Sequence, residues 1–227
     1  MFYNFVMITP NYFFTQITWF PIIIFWLAYV MAALFYFTRI KPKFFNFKIL
    51  IIFIIICRFI YAAILSILQY YVWSTSELTK LLISSPLSSE VPLSDALRGI
   101  LGPVLDSKLG YFLFYSWGHF WISALITIGI AFAFYAFLKA LKKYNGRFFE
   151  EGETELGLLL ALIVGWPNFV LFIPITFASV VVVSVFRLLY KKELYTTLGA
   201  PMFLAALVTL IYGGNLIKIL GLTVLKI

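Results

Sequence analysis

Long apolar runs dominate the pattern of hydrophobic and polar positions, and polar residues collect in short segments between these runs. A helix needs about 20 predominantly apolar residues to cross the hydrocarbon core of a bilayer. Runs close to or above that length predict membrane-spanning helices near residues 13–37, 47–73, 111–138, 156–190 and 198–212. The pattern therefore predicts an all-α fold, a polytopic transmembrane helix bundle.

The fourth run is too long for a single span. Residues 156–190 as one helix would measure about 50 Å, whereas the hydrocarbon core is about 30 Å thick. The turn-forming sequence Gly-Trp-Pro-Asn at 165–168 interrupts the run. A hairpin at this turn also keeps Arg187 on the same side as the other basic loops. The sequence therefore predicts a short or re-entrant fourth helix over 156–164 and about six crossings in all.

Basic residues indicate the orientation, because they follow the first and third spans: Arg39, Lys41, Lys43 and Lys48, then Lys139, Lys142, Lys143 and Arg147. Loops rich in Lys and Arg face the cytoplasm. We therefore expect the N-terminus and the polar loop 74–110 to lie outside, with a short surface helix starting at Asp95 and capped by Ser94.

The composition excludes a soluble enzyme, a disordered chain, a collagen-like or coiled-coil protein and a disulfide scaffold. Charged residues make up 11% of the chain and hydrophobic residues 63%, whereas soluble domains carry roughly 25% charged residues. The net charge of +8 follows from the basic loops, so membrane lipids and not nucleic acid are the expected partners. With one Cys and one His, no Cys-rich metal site is credible. No phosphate-binding loop or dinucleotide turn is present, and no cofactor is expected.

An acidic cluster, Glu150-Glu151-Gly152-Glu153-Thr154-Glu155, opens the predicted fourth helix. One interpretation is a solvated helix start, because acidic residues in the first turn favour the helix dipole. The other is an aspartyl-type acid–base pair. In such a pair one carboxylate activates water and its protonated partner polarises the peptide carbonyl.

The last third of the chain, residues about 149–214, resembles the second half of type IV prepilin peptidases. That family has a GxGD motif, a leucine-rich helix ending in Gly-Trp, and a Gly-Pro-Phe-Leu-like motif opening the last span. This chain has the same order: Gly152-Glu153, Leu156-Gly157-Leu158-Leu159-Leu160-Ala161-Leu162, Gly165-Trp166 and Gly199-Ala200-Pro201-Met202-Phe203-Leu204. The resemblance suggests a division into an N-terminal transmembrane part, 1–147, with three spans, and a C-terminal part, 148–227.

The resemblance implies an aspartic endopeptidase, a hydrolase that removes the leader from a pilin-like precursor. It also implies the location, the bacterial cytoplasmic (inner) membrane. Glu153 takes the position of the motif aspartate, and Glu150 that of the first glycine. Glu150 is the first candidate for the second carboxylate, and Gly152 lets the backbone approach the scissile peptide. Other candidates for the second carboxylate are Glu151, Glu155 and Glu193.

The family's second aspartate has no counterpart on the predicted cytoplasmic side, because Asp95 and Asp106 are expected outside. Catalysis therefore either relies on a pair within the glutamate cluster or is lost. A protein without catalysis would bind a partner membrane protein or a substrate helix without processing it.

The first part of the chain, residues about 15–143, is faintly similar to prolipoprotein diacylglyceryl transferases. The similarity rests on Trp19, Arg58, Tyr61 and the sequence Ser116-Trp117-Gly118-His119. It implies lipid transfer to a lipoprotein cysteine, with Arg58 binding the lipid head group and His119 acting as the base. The alternatives are a snorkelling or helix-pairing Arg58 and a packing or interface role for His119.

Overall fold

The computed structural model describes residues 3–38, 46–88, 91, 95–144, 146–192 and 197–225. Within these ranges the regular elements are helices: α1 Tyr3–Thr38, α2 Phe47–Thr75, α3 Glu77–Ile83, α4 Asp95–Leu105, α5 Gly110–Ser116, α6 Ile122–Tyr144, α7 Glu153–Val164, α8 Phe169–Lys191 and α9 Gly199–Ile219. A π-helical turn, Trp117–Trp121, joins α5 to α6, and 3₁₀ turns occupy Gly146–Phe148 and Leu222–Leu225.

Five helical segments of the described chain are long and apolar enough to cross a membrane: Trp19–Thr38, Phe47–Thr75, Gly110–Tyr144, Phe169–Tyr190 and Gly199–Ile219. The predicted all-α polytopic bundle is therefore confirmed. The helix α7 has twelve residues, or about 18 Å, and ends at the predicted break before Gly165. The short fourth helix is confirmed as well.

The contacts at the two ends of α7 fix the direction of its neighbours. Glu153, its first residue, accepts a hydrogen bond from the N–H of Gly199, the first residue of α9. Beyond the other end of α7, the side chain of Asn168 lies against Gly213 of α9. The helices α7 and α9 therefore run parallel. Because α8 starts beside Gly213 and ends at Lys191, shortly before α9 begins, it runs antiparallel to both. The predicted hairpin is confirmed.

The described residues form two compact units. The larger unit contains residues 18–38, 46–58, 125–144, 146–192 and 197–225, and the smaller unit contains the remaining described residues, chiefly 59–124. The predicted division at residue 147 concerns family relationship and not spatial contact, and it stays a prediction.

The core of the larger unit surrounds α7. Every residue of α7 from Leu156 to Val164 is buried, which fits a helix that is apolar on all sides. Side chains of α1, α2, α6, α8 and α9 pack against it. A Cβ atom at Gly157 would overlap Leu138 and touch Met202. Glycine at this position therefore lets α6 and α9 approach α7 closely.

The smaller unit orders the polar loop predicted at 74–110. Its helix α4 begins at Asp95, as predicted, and the proposed cap, Ser94, lies outside the described residues. The N–H of Leu87 donates to the carbonyl of Leu105 at 3.0 Å, and the N–H of Tyr111 donates to the carbonyl of Ser85 at 3.2 Å. These bonds tie the loop to the start of the third span.

Candidate functional site

Glu153 stands at the start of α7 and is only 1% exposed. Gly152, directly before it, has φ +85°, a left-handed conformation that glycine adopts without strain. The ring of Phe47 packs beside Gly152, where a Cβ atom would lie 3.5 Å from the ring. The local turn therefore directs the Glu153 side chain into the protein.

Three donors engage the Glu153 carboxylate. Its Oε1 accepts hydrogen bonds from the hydroxyl of Tyr36 at 2.8 Å and from the N–H of Gly199 at 2.8 Å. Its Oε2 accepts one from the N–H of Glu150 at 3.0 Å. These donors belong to the end of α1, the start of α9 and the turn before α7. The carboxylate thus joins three segments that are far apart in the sequence.

Gly199 is required for this convergence. A Cβ atom on Gly199 would overlap the Tyr36 hydroxyl and the Glu153 carboxylate. The start of α9 can therefore approach the carboxylate only because position 199 has no side chain. The sequence analysis singled out Gly152-Glu153 and Gly199-Ala200-Pro201, and these two segments meet at this hydrogen bond.

The other predicted carboxylates are placed differently. Glu150 approaches Glu153 through its backbone N–H, and its side chain is exposed. The side chain of Glu151 is also exposed. Glu193 lies outside the described residues, and Asp95 and Asp106 belong to the smaller unit.

Glu155 lies in the first turn of α7, near the surface. Burial by itself raises its pKa, but the hydrogen bond from Thr154 at 2.7 Å and the cationic Lys142 and Lys48 hold the pKa of Glu155 below its usual value. A lowered pKa favours the ionised carboxylate at neutral pH. Glu155 is therefore unsuited to be the protonated member of an acid–base pair.

Arg58 lies at the opposite end of α7. Its Nε donates to the carbonyl of Leu162 at 3.1 Å, and its Nη2 donates to the same oxygen. Its guanidinium also lies 4.6 Å from the centre of the Phe25 ring. Gly165, with φ +66°, leaves the space that the guanidinium fills.

This arrangement makes Arg58 a cap for the last turn of α7. The last carbonyls of a helix lack intrahelical donors, and hydrocarbon offers them no water. The sequence analysis gave helix pairing as one alternative for Arg58, and this bond pairs α2 with α7, but the Leu162 carbonyl was not identified as the partner. Once Phe47 is known to pack against Gly152, two matching segment lengths place Arg58 near Leu162: Arg58 lies eleven residues after Phe47, and Leu162 lies ten residues after Gly152.

His119 belongs to the smaller unit, whereas Arg58 belongs to the larger one. It is exposed on the π-helical turn, and its ring stacks on Tyr115 with 4.1 Å between ring centres. Its Nδ1 lies 3.2 Å from the Tyr115 carbonyl oxygen. The described partner of the ring is thus a carbonyl and not a carboxylate that would orient a general base. The catalytic role of His119 stays a prediction.

In the described part of the chain, no three His, Cys, Asp or Glu side chains come together as a set of metal ligands. No protein-family model, curated protein or solved structure matches the chain. The two resemblances drawn from the sequence therefore stay predictions.

Proposed function

We propose that the chain is a prepilin-peptidase-like protein of the bacterial cytoplasmic membrane, with its N-terminus outside. It binds the apolar helix of a pilin-like precursor at the cytoplasmic face and does not cleave the leader. One observation carries the proposal: both oxygens of the buried Glu153 carboxylate accept hydrogen bonds from the protein itself.

These bonds oppose a role in hydrolysis. A general base must bring a lone pair within about 2.6–3.2 Å of the proton it removes. An oxygen of Glu153 that turned to a water would leave buried donors unpaired, at about 1–3 kcal/mol each. A catalytic pair also needs a protonated partner. The three described partners of the carboxylate are one hydroxyl and two backbone N–H groups.

Two features support recognition of a prepilin-type substrate. The motif segments around Glu153 and Gly199 meet at a 2.8 Å hydrogen bond. The helix between them, α7, is short and ends inside the larger unit at the Gly165 turn. Both features match the order of elements on which the resemblance to prepilin peptidases rests.

The test is co-expression of the chain with a pilin-like precursor, using wild type, Glu153→Gln and the matched control Glu150→Gln. We expect the precursor to keep its leader in all three strains and to copurify with the wild-type chain. Cleavage by wild type that disappears in Glu153→Gln would make Glu153 catalytic and overturn the proposal. A precursor that is neither cleaved nor copurified would reject the recognition of this substrate class.

A further inference from the structure

The larger unit contains an apolar groove between α6, α8 and α9, with a cavity volume of about 360 Å³. Six of its lining residues are Ile130, Phe134, Leu138, Phe169, Ile173 and Met202. The one hydroxyl in the lining, on Thr176, donates to the carbonyl of Phe172 at 2.7 Å. The groove therefore offers a ligand hydrocarbon contacts, and the hydroxyl in its lining is already hydrogen-bonded.

The depth of the groove matches one leaflet of a bilayer. Leu198 and Leu141 line the end where α9 begins, and Phe169 lines the end at the turn between α7 and α8. On α6 the lining runs from Ile130 to Leu141, eleven residues or about 16 Å. Half of a hydrocarbon core about 30 Å thick is about 15 Å.

A cationic residue adjoins the end of the groove at Leu141, because Lys142 follows Leu141 in α6. In the proposed orientation this end faces the cytoplasm. Basic pockets between transmembrane helices on that side bind anionic lipid head groups.

We infer that this groove holds one acyl chain of an anionic phospholipid of the cytoplasmic leaflet. The lipid phosphate lies at Lys142, and the chain extends along α6 towards Phe169. The inference goes beyond precursor binding and does not depend on it, because it rests on the groove and on Lys142; only the choice of leaflet rests on the orientation given under the proposed function.

The first test fills the groove. Purified full-length chain is mixed with phosphatidylglycerol, and bound lipid is counted by native mass spectrometry. Ala133 is exposed and lines the groove, whereas Ala136 is also exposed on α6 but is not among the lining residues. We expect wild type and Ala136→Phe to retain one phosphatidylglycerol and Ala133→Phe to lose at least ten-fold in affinity. If Ala133→Phe does not fold, Ala133→Leu and Ala136→Leu replace the pair.

The second test addresses the head group. Phosphatidylcholine with the same acyl chains serves as the lipid without net charge. Lys142→Gln should lower the preference for phosphatidylglycerol about five-fold, the factor for roughly 1 kcal/mol per cationic residue near the membrane surface. The adjacent, exposed Lys143 provides the control, and Lys143→Gln should leave the preference close to that of wild type.

Three results would overturn the inference. The first is equal phosphatidylglycerol binding by wild type and Ala133→Phe. The second is an equal loss of preference in Lys142→Gln and Lys143→Gln, which would indicate surface charge in general. The third is a photo-crosslinker at position 133 that reacts with a polypeptide and not with lipid, which would assign the groove to a partner protein.

Discussion

Glu153 is a buried acidic residue whose partners come from both sides of it in the sequence. Tyr36 lies 117 residues before it and Gly199 lies 46 residues after it. Every described partner donates a hydrogen bond to the carboxylate, so removal of the side chain breaks hydrogen bonds to three segments at once. We therefore regard Glu153 as a structural residue that holds the end of α1, the turn before α7 and the start of α9 together.

Glu153→Ala leaves the Tyr36 hydroxyl and the N–H groups of Gly199 and Glu150 without their acceptor. Each of the three unsatisfied donors costs about 1–3 kcal/mol, but the variant also removes a buried carboxylate, whose burial is itself unfavourable. We therefore expect a net loss of about 2–4 kcal/mol in the free energy of unfolding. Thermal unfolding of the purified chain in detergent would measure the loss as a fall in midpoint temperature.

Glu150→Ala is the matched control, because it keeps the backbone N–H that bonds Glu153 and removes only an exposed side chain. Its midpoint should stay close to that of wild type. Equal midpoints for Glu153→Ala and wild type would show that the three hydrogen bonds add nothing to stability. A carboxylate without a structural role would then favour a catalytic one.

At the scale of elements, α7 depends on Arg58 at its end. Arg58→Met leaves the Leu162 carbonyl unpaired inside the larger unit. It also removes a charge whose burial in a membrane is unfavourable. Because these two effects oppose each other, we expect a small change in the free energy of unfolding and a clear loss of local stability at the end of α7. Amide hydrogen exchange at 165–169 should become at least ten-fold faster.

Lys48→Met serves as the control for that experiment, because it removes the other described cation of α2, which is exposed and lies at the start of the helix. It should leave exchange at 165–169 unchanged. Unchanged exchange in Arg58→Met would contradict the capping role. It would favour the role that the sequence suggested for Arg58, binding of a lipid head group.

The elements were predictable from the sequence for simple physical reasons. Apolar runs gave each span with its ends displaced by at most seven residues, the largest difference being at the end of the last span, Ile219 against residue 212. The turn at 165–168 placed the break in the fourth run. The partners of Glu153 were not predictable, because the resemblance points to a second carboxylate and contains no information about Tyr36. The Arg58 cap was not predicted either. It becomes visible only when α2 and α7 are known to lie side by side.

At the scale of the whole molecule, the orientation in the membrane is the open prediction. Cys57 is the only cysteine, so a Cys57→Ala background permits single labelling sites. Lys108 and Lys143 are both exposed, and the positive-inside rule places them on opposite sides. An impermeant maleimide should label Lys108→Cys in intact cells and Lys143→Cys only after permeabilisation. The reverse pattern would place Glu153 outside and contradict the proposed function.

The short helix α7 also bears on how the protein is made. A segment of twelve residues is too short to be inserted as a span of its own. It therefore has to be held by its neighbours. Its cap, Arg58, is synthesised about 100 residues earlier, but Gly199 emerges from the ribosome only after α8 is complete. The hairpin of α7 and α8 accordingly reaches its final position late in biogenesis, when α9 supplies the last donor to Glu153.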